Sequence, residues 1–309
     1  MTEKNIFRGL TFLVAVGLII SLASCTERSR ARTDLDTADS GTIRISVDES
    51  FRPLIDSEIR VYEALHPKTK IIAEYKPEGE CLEDLKKDST RMIVVTRALT
   101  KEEEKYFKEK TSSYPVISRI AYDAIAVIVK KGSPDSIMYR ADLKSIIDGE
   151  SSSNKKIIFD GAKGSSVFRY IQDSLLRDKR IDTSRVFAVQ GSEEVLKRVE
   201  EDDKLIGMVG VSWIGNPEDT TQQSFLKRVS IVSLDCTCPE EAFVKPYQAN
   251  IALGRYPFVR GLYFILKEGY SGLGSAFGNF LESERGQLII NRAYLVPGKM
   301  NLSIRKAEY

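Results

Sequence analysis

The chain has 309 residues, 46 Lys+Arg against 44 Asp+Glu, and a single histidine. Without residues 1–24 the balance is 44 basic to 43 acidic, which gives no electrostatic case for nucleic acid as a partner. One histidine and a few scattered cysteines leave no zinc-finger spacing, so no metal or cofactor is expected.

The N-terminus sets the compartment. Lys4 and Arg8 precede TFLVAVGLIISLASC, an uncharged apolar run that ends in Leu22-Ala23-Ser24-Cys25. A basic start, a short apolar core and small residues before a cleavage point make a secretory signal over 1–24. The run is too short for a comfortable spanning helix, which needs about 20 residues. A cysteine directly after Leu-Ala-Ser resembles the lipobox of bacterial lipoproteins, which implies acylation of Cys25 and anchoring to an extracytoplasmic membrane face. Residues 25–40 follow, mixing charge with Ser, Thr and Asp and almost without large apolar side chains, as a flexible tether does. The folded part is expected from Gly41.

From there β-rich and helical patterns alternate. TIRISV (42–47) reads as a strand. SFRPLIDSEIRVYEALHP reads as a helix with Ile55, Ile59, Tyr62 and Leu65 on one face, Ser50 as N-cap and Pro53 in the first turn. TKIIAEY is a strand, GECLEDLKKD a short helix, RMIVVT a buried strand and TKEEEKYFKEK a surface helix. IAYDAIAVIVKKGSP (120–134) is the longest β-rich run. The rhythm then restarts with ADLKSIIDG (helix), KKIIF (strand), SSVFRYIQDSLL (helix), RVFAV (strand), SEEVLKRVEED (helix), then LIGMVG and RVSIVSL (strands). Alternation of this kind builds parallel α/β lobes, and the restart marks a second lobe. The expected division is 41–129 plus 245–309 for lobe 1 and 130–244 for lobe 2, with hinges near 125–132 and 244–250. In the tail YPFVRGLYFIL is β-rich and SAFGNFLESERGQLIINRA helical.

Cys236-Thr237-Cys238 is too closely spaced for an easy mutual disulfide, leaving Cys81 to pair with one of them, or no pair at all.

Enzymatic motifs fail. In FDGAKGSSVFRY (159–170) Lys163 precedes Gly164, so the G-x-x-x-x-G-K-[ST] phosphate loop is absent. GLGSAFG (272–278) is one residue out of register for a dinucleotide fingerprint. Neither G-x-S-x-G nor H-E-x-x-H occurs. His66 sits at a helix end, as a capping or surface residue does. No catalysis is expected.

Binding has positive signals. Ser50 and the Ser165-Ser166 pair open helices after strands, one in each lobe, where free backbone N–H groups and the helix dipole attract an oxyanion. Arg97 and Arg169 could add charge-assisted bidentate bonds.

The order of segments is similar to that of the phosphate-binding lipoproteins of Pst-type ABC importers. GTIRISVDESFRPLIDSEIRVYEALHP resembles that family's opening. RMIVVTRALTKEE resembles its A-x-S-[RD]-x-[LI]-x-x-E-E segment and AYDAIAVIVKKGSP its crossover strand. FDGAKGSSVFRY stands where the family has G-S-G-T-R or a related turn. YPFVRGLYFIL resembles Y-P-[LI]-x-R-x-L-Y, and FGNFLESERGQLII…AYLVP the family's closing helix and strand. The resemblance implies an α/β type II periplasmic-binding-protein fold: two lobes, each a mixed sheet flanked by helices, with the ligand cleft between them. It implies a monomer that binds inorganic phosphate or a related oxyanion and delivers it to an importer permease.

Carried onto this sequence, the first-lobe turn is Glu49, Ser50 and Phe51, and the second-lobe cradle is Gly164, Ser165 and Ser166. Arg169 supplies the guanidinium, with Glu80 in the Gly79-Glu80-Cys81 turn and Thr96 and Arg97 after the RMIVVT strand. The departure is Val47-Asp48-Glu49-Ser50, where the family has Gly, Ser and Thr. Acids beside an anion site repel it unless one accepts the proton of HPO₄²⁻; Asp48, Glu49 and Asp160 are the candidates.

Overall fold

In the computed structural model the described residues are 36–111, 114–161, 164–177, 180–216, 219–239 and 242–299. The signal segment, Cys25 and the tether up to residue 35 lie outside them. Asp36 to Asp39, read as tether from composition, contact the folded body. The Asp36 carboxylate accepts from Leu273 N at 2.6 Å and from the Tyr270 hydroxyl at 2.7 Å, and the Ala38 carbonyl accepts from Tyr62.

The first lobe is built from strands β1 (Ser40–Asp48), β2 (Lys68–Lys76) and β3 (Met92–Val95), with helices α1 (Arg52–Leu65), α2 (Glu78–Leu85) and α3 (Lys101–Thr111). β1 runs parallel to both β2 and β3. β3 is apolar throughout because both its faces are covered. Met92 and Val94 pack with Ile43, Ile45 and α1, while Ile93 and Val95 pack with Cys81, Leu85 and Phe107 on the opposite face. On α1, Leu54, Ile55, Ile59 and Tyr62 are buried, as the period of 3.6 requires.

Strand β4 (Val116–Lys130) joins the lobes. Fifteen residues make a strand about 50 Å long. Its first part pairs antiparallel with β12 (Val259–Leu266) as far as Ala124, and Ile125–Ile128 pair antiparallel with β8 (Leu205–Gly210). Ile120 and Ala121 belong to the first core, and Ala124 to Val129 belong to the second.

The second lobe holds β5 (Ile137–Met138), α4 (Arg140–Ile147), β6 (Lys156–Asp160), α5 (Ser166–Tyr170), β7 (Val186–Val189), α6 (Ser192–Glu201), β8, α7 (Thr220–Arg228), β9 (Val229–Ile231), β10 (Ser233–Asp235), β11 (Phe243–Val244) and α8 (Gln248–Ala252). The sheet order β2-β1-β3-β12-β4-β8-β6-β7 is continuous through β4, and β5, β10 and β11 form a small second sheet. Helices α9 (Leu273–Glu282) and α10 (Glu284–Arg292) and strand β13 (Val296–Pro297) close the chain over the first lobe.

Four local expectations shift. Ser50 does not cap α1: Asp48 accepts from the Ser50 N–H and caps a single 3₁₀ turn, Glu49–Phe51, that precedes the helix. The expected helix 165–176 widens after Tyr170 into a π-type turn, Ile171–Leu176. RVSIVSL divides at Val232, which frees β9 to pair with β4 and β10 with β5. The last long helix breaks at Ser283, whose hydroxyl caps α10. The return crossing also lies later than expected: Ile251, Tyr256 and Phe258 pack in the second core, and β12 re-enters the first.

Cys236 and Cys238 are bonded to each other, with Cα atoms 5.1 Å apart, inside the span a disulfide requires. Among the described residues Cys81 is the free thiol; it is buried, and burial pushes its pKa up.

Gly207 shows how tightly α6 lies on the sheet. A Cβ there would sit 2.7 Å from Ile128 Cγ1 and 2.8 Å from Val199 Cγ2. Gly207→Ala is expected to cost about 1–3 kcal/mol, read as a lower urea midpoint at constant m. An unchanged midpoint would show that α6 gives way freely.

Candidate functional site

The floor of the site is the point where β4 changes partners. Asp123 on β4 and Arg260 on β12 stand directly opposite in the antiparallel register. Arg260 Nε donates to Asp123 Oδ2 at 2.8 Å, with side chains 3% and 0% exposed. Arg260 Nη1 donates to Ser166 Oγ of the second lobe at 2.7 Å. Nη2 is buried with no hydrogen-bond partner, and it lies so near Gly210 that a Cβ there would be 3.3 Å away. A guanidinium with an unused donor in a dry site is a strong attractor for an oxygen acceptor.

From the first lobe, the turn after β1 brings Ser50 and Glu49 to this floor. Ser50 is fully buried; its Oγ donates to Asp160 Oδ2 at 3.2 Å and is 3.5 Å from Ser166 Oγ. Its carbonyl accepts from Ser212 Oγ at 2.6 Å. The Glu49 carboxyl crosses to the N-terminus of α6, 3.3 Å from Ser192 N and 3.2 Å from Ser192 Oγ. Ser192 Oγ is also 3.0 Å from Asp160 Oδ2. A hydroxyl carries one proton, so Ser192 serves one of these carboxyls as donor at a time.

A second bridge lies at one side. Arg169 on α5 donates from Nε to Glu78 Oε2 at 2.6 Å and from Nη2 to Thr96 Oγ1 at 2.7 Å. Glu78 Oε1 accepts from both Thr96 N and Thr96 Oγ1. Gly79 N donates to Gly164 O at 2.9 Å, so backbone also joins the lobes here.

Above the floor opens a cleft of about 800 Å³ whose rim includes Arg52, Tyr75, Lys76, Glu80, Glu193 and Trp213. Its inner end is acidic. Burial, reinforced by the charge of Glu78, pushes Asp48 up to about 7. Burial and then the adjacent Asp160 push Glu49 up to about 8. Burial also raises Asp123 against the pull of Arg260. Glu78 goes the other way: burial opposes its charge, but Arg169 and Thr96 together hold it below the usual carboxylate range. Near neutral pH Glu49 therefore mostly keeps its proton and Asp48 is about half protonated, so both can act as donors.

Of the residues singled out from sequence, Glu49, Ser50, Ser165 and Ser166 lie at or beside the floor. Ser165 Oγ is spent as the cap of α5, accepting from Phe168 N at 3.1 Å. Gly164, Thr96 and Arg169 belong to the lateral bridge, and Glu80 stands exposed on the rim. Phe51 is buried in the first core with the Arg260 guanidinium 5.2 Å from its ring centre. Arg97 turns away, making a bidentate pair with Glu103 at 2.7 and 2.8 Å. The sequence reading missed Asp123, Arg260, Ser192 and Glu78. The first two had a signal: each is a charge inside an otherwise apolar strand run, and such charges fold only if paired. Among the described residues no His, Cys, Asp and Glu group could hold a metal ion, and no helix is long and apolar enough to cross a membrane.

No curated protein matches the sequence. Solved structures do. One from Clostridium perfringens, described as a phosphate ABC transporter substrate-binding protein with bound phosphate, aligns with TM-score 0.68 at 19% identity over 83% of this chain and 99% of that one. An ABC-type phosphate transport receptor from Vibrio cholerae aligns with TM-score 0.60 at 19% identity over 83% of this chain and all of that one, 100%. A possible phosphate binding protein from Planctomyces limnophilus aligns with TM-score 0.55 at 18% identity, over 84% and 93%. At such identities these likenesses establish the two-lobed fold. Residues 33–285 match the family model of the PBP superfamily domain, and the chain belongs to that superfamily.

Proposed function

We propose that this chain is the solute-binding subunit of an ABC importer, tethered outside the cytoplasm of a bacterium by acyl chains on Cys25, and that its cleft holds phosphate or a related oxyanion. One observation carries the ligand class. The hydroxyls of Ser50, Ser166 and Ser192, with the Arg260 guanidinium, converge from both lobes between β1, β6 and β12. Arg260 Nη2 is a buried donor without a partner, and a desolvated oxyanion is the ligand that can take this donor and the neighbouring hydroxyls at once. The raised carboxyls of Asp48 and Glu49 fit the same reading, because each proton they hold removes a charge that would repel an anion and adds a donor. The phosphate named for the Clostridium perfringens and Vibrio cholerae structures supports the choice of anion. The protein binds and releases; it makes and breaks no bond in the solute. It acts as a monomer and hands its solute to a permease.

A second reading keeps the fold and the anchor but drops transport, in favour of sensing, scavenging or partner binding. It is favoured by the acidity of the inner cleft, where Asp48, Glu49, Glu78, Asp123 and Asp160 surround two arginines. Phosphate titration by calorimetry separates the two, together with the fluorescence of Trp213, the sole tryptophan, which lines the cleft. Submillimolar phosphate should produce heat and a spectral change. Silence with both phosphate and sulfate would remove the oxyanion and leave the second reading.

A further inference from the structure

We propose that Asp160 is a tethered occupant of the oxyanion cradle, and that an incoming anion binds by displacing this carboxylate. The inference rests on the oxyanion reading above and concerns how the same site is filled and emptied.

Asp160 ends β6, and its side chain is placed where an external anion would have to sit. Oδ2 accepts from Ser50 Oγ of the first lobe and Ser192 Oγ of the second, while Oδ1 is buried with no hydrogen-bond partner. Asp160 is 3% exposed. Arg260 acts on it through its charge. The remaining charges at the floor are spoken for: Asp123 holds Arg260, and Arg169 holds Glu78.

The place of Asp160 Oδ2 keeps a second anion from the same donors. It already takes the hydrogen bonds of Ser50 and Ser192, and Ser50 Oγ and Ser166 Oγ, 3.5 Å apart, admit no anion between them. A hydroxyl carries one proton, so an oxyanion in the adjoining cleft gains those of Ser50 and Ser192 only when the Asp160 side chain leaves them. The same contacts make Asp160 a latch. Its bond to Ser50 joins strand β6 of one lobe to the turn of the other, so the site closes on itself when no solute is present. Exchange of a carboxylate for a singly charged anion leaves the net charge of the floor unchanged, and the same donors serve both.

The test compares the full chain with Asp160→Ala and Asp160→Asn, using inorganic phosphate at pH 7. Removing the resident carboxylate should tighten phosphate binding at least tenfold in Asp160→Ala and less in Asp160→Asn, whose amide still fills the space. Small-angle scattering supplies a second readout. Solute-free wild type should be as compact as its phosphate complex, and solute-free Asp160→Ala should be more open and should contract on adding phosphate. Wild type that binds phosphate while both variants bind it equally or more weakly would overturn the displacement. So would a wild type that contracts on phosphate as much as Asp160→Ala does. If neither wild type nor Asp160→Ala binds phosphate, the oxyanion reading itself falls, and this inference with it.

Discussion

Arg260→Met is expected to lower stability by about 3–5 kcal/mol and to weaken solute binding by more than tenfold. The stability loss comes from Asp123. Its side chain is 0% exposed, and without the guanidinium it becomes an uncompensated buried carboxyl at the centre of the continuous sheet. Binding suffers separately, because Arg260 also donates to Ser166 and holds an unused donor at the floor. Denaturant unfolding reads the first effect and phosphate calorimetry the second. The double variant Asp123→Asn/Arg260→Met should recover much of the stability and none of the binding, since a buried pair replaced as a unit costs far less than one broken in half. A loss below about 1 kcal/mol in the single variant would mean that water reaches the pair.

Glu58→Met should have the opposite sign and a strong pH dependence. Glu58 lies on the buried face of α1, is 0% exposed, and neither of its oxygens has a hydrogen-bond partner. Burial alone pushes its carboxyl up to about 9. The folded chain thus keeps this proton up to high pH, whereas the unfolded chain releases it near the ordinary value of 4.5. Stability is full below that ordinary value and is lost as pH rises towards 9, at about 1.4 kcal/mol per pH unit for one group. At pH 7.5 the penalty is about 4 kcal/mol, and at pH 5 it falls below about 1 kcal/mol. Scanning calorimetry should show Glu58→Met melting several degrees above wild type at pH 7.5, with a much smaller gap at pH 5. Asp48 and Glu49 also favour low pH, but they are common to both proteins and cancel in the difference. An equal gap at both pH values would show that packing, not the carboxyl, makes the change.

Much of the architecture was legible before any coordinates. The uninterrupted apolar run of RMIVVT becomes a strand covered on both faces, because helices on either side leave no polar surface for it. The long run around AYDAIAVIVKK becomes the strand shared by both lobes. The 3.6-residue spacing of Ile55, Ile59 and Tyr62 turns one face of α1 to the core. These are local patterns, and backbone periodicity alone converts them into elements. Where elements end was less legible. Ser50 is the expected cap of α1, but a 3₁₀ turn capped by Asp48 intervenes, and the Ser50 hydroxyl bonds Asp160 instead.

The site obeys different rules. Ser50 and Asp160 are 110 residues apart, Asp123 and Arg260 137, and Glu49 and Ser192 143. No local spacing encodes such meetings. Two serine turns, one in each lobe, could be read from the chain as donors awaiting an anion. That the Asp160 carboxylate joins Ser50 to Ser192 across the lobes could not. It follows from the register of β12 against β4, which delivers Arg260 to the floor, and from the close approach of the lobes around Asp160. Charge scattered evenly along a chain becomes chemistry only where folding removes water from a few chosen groups.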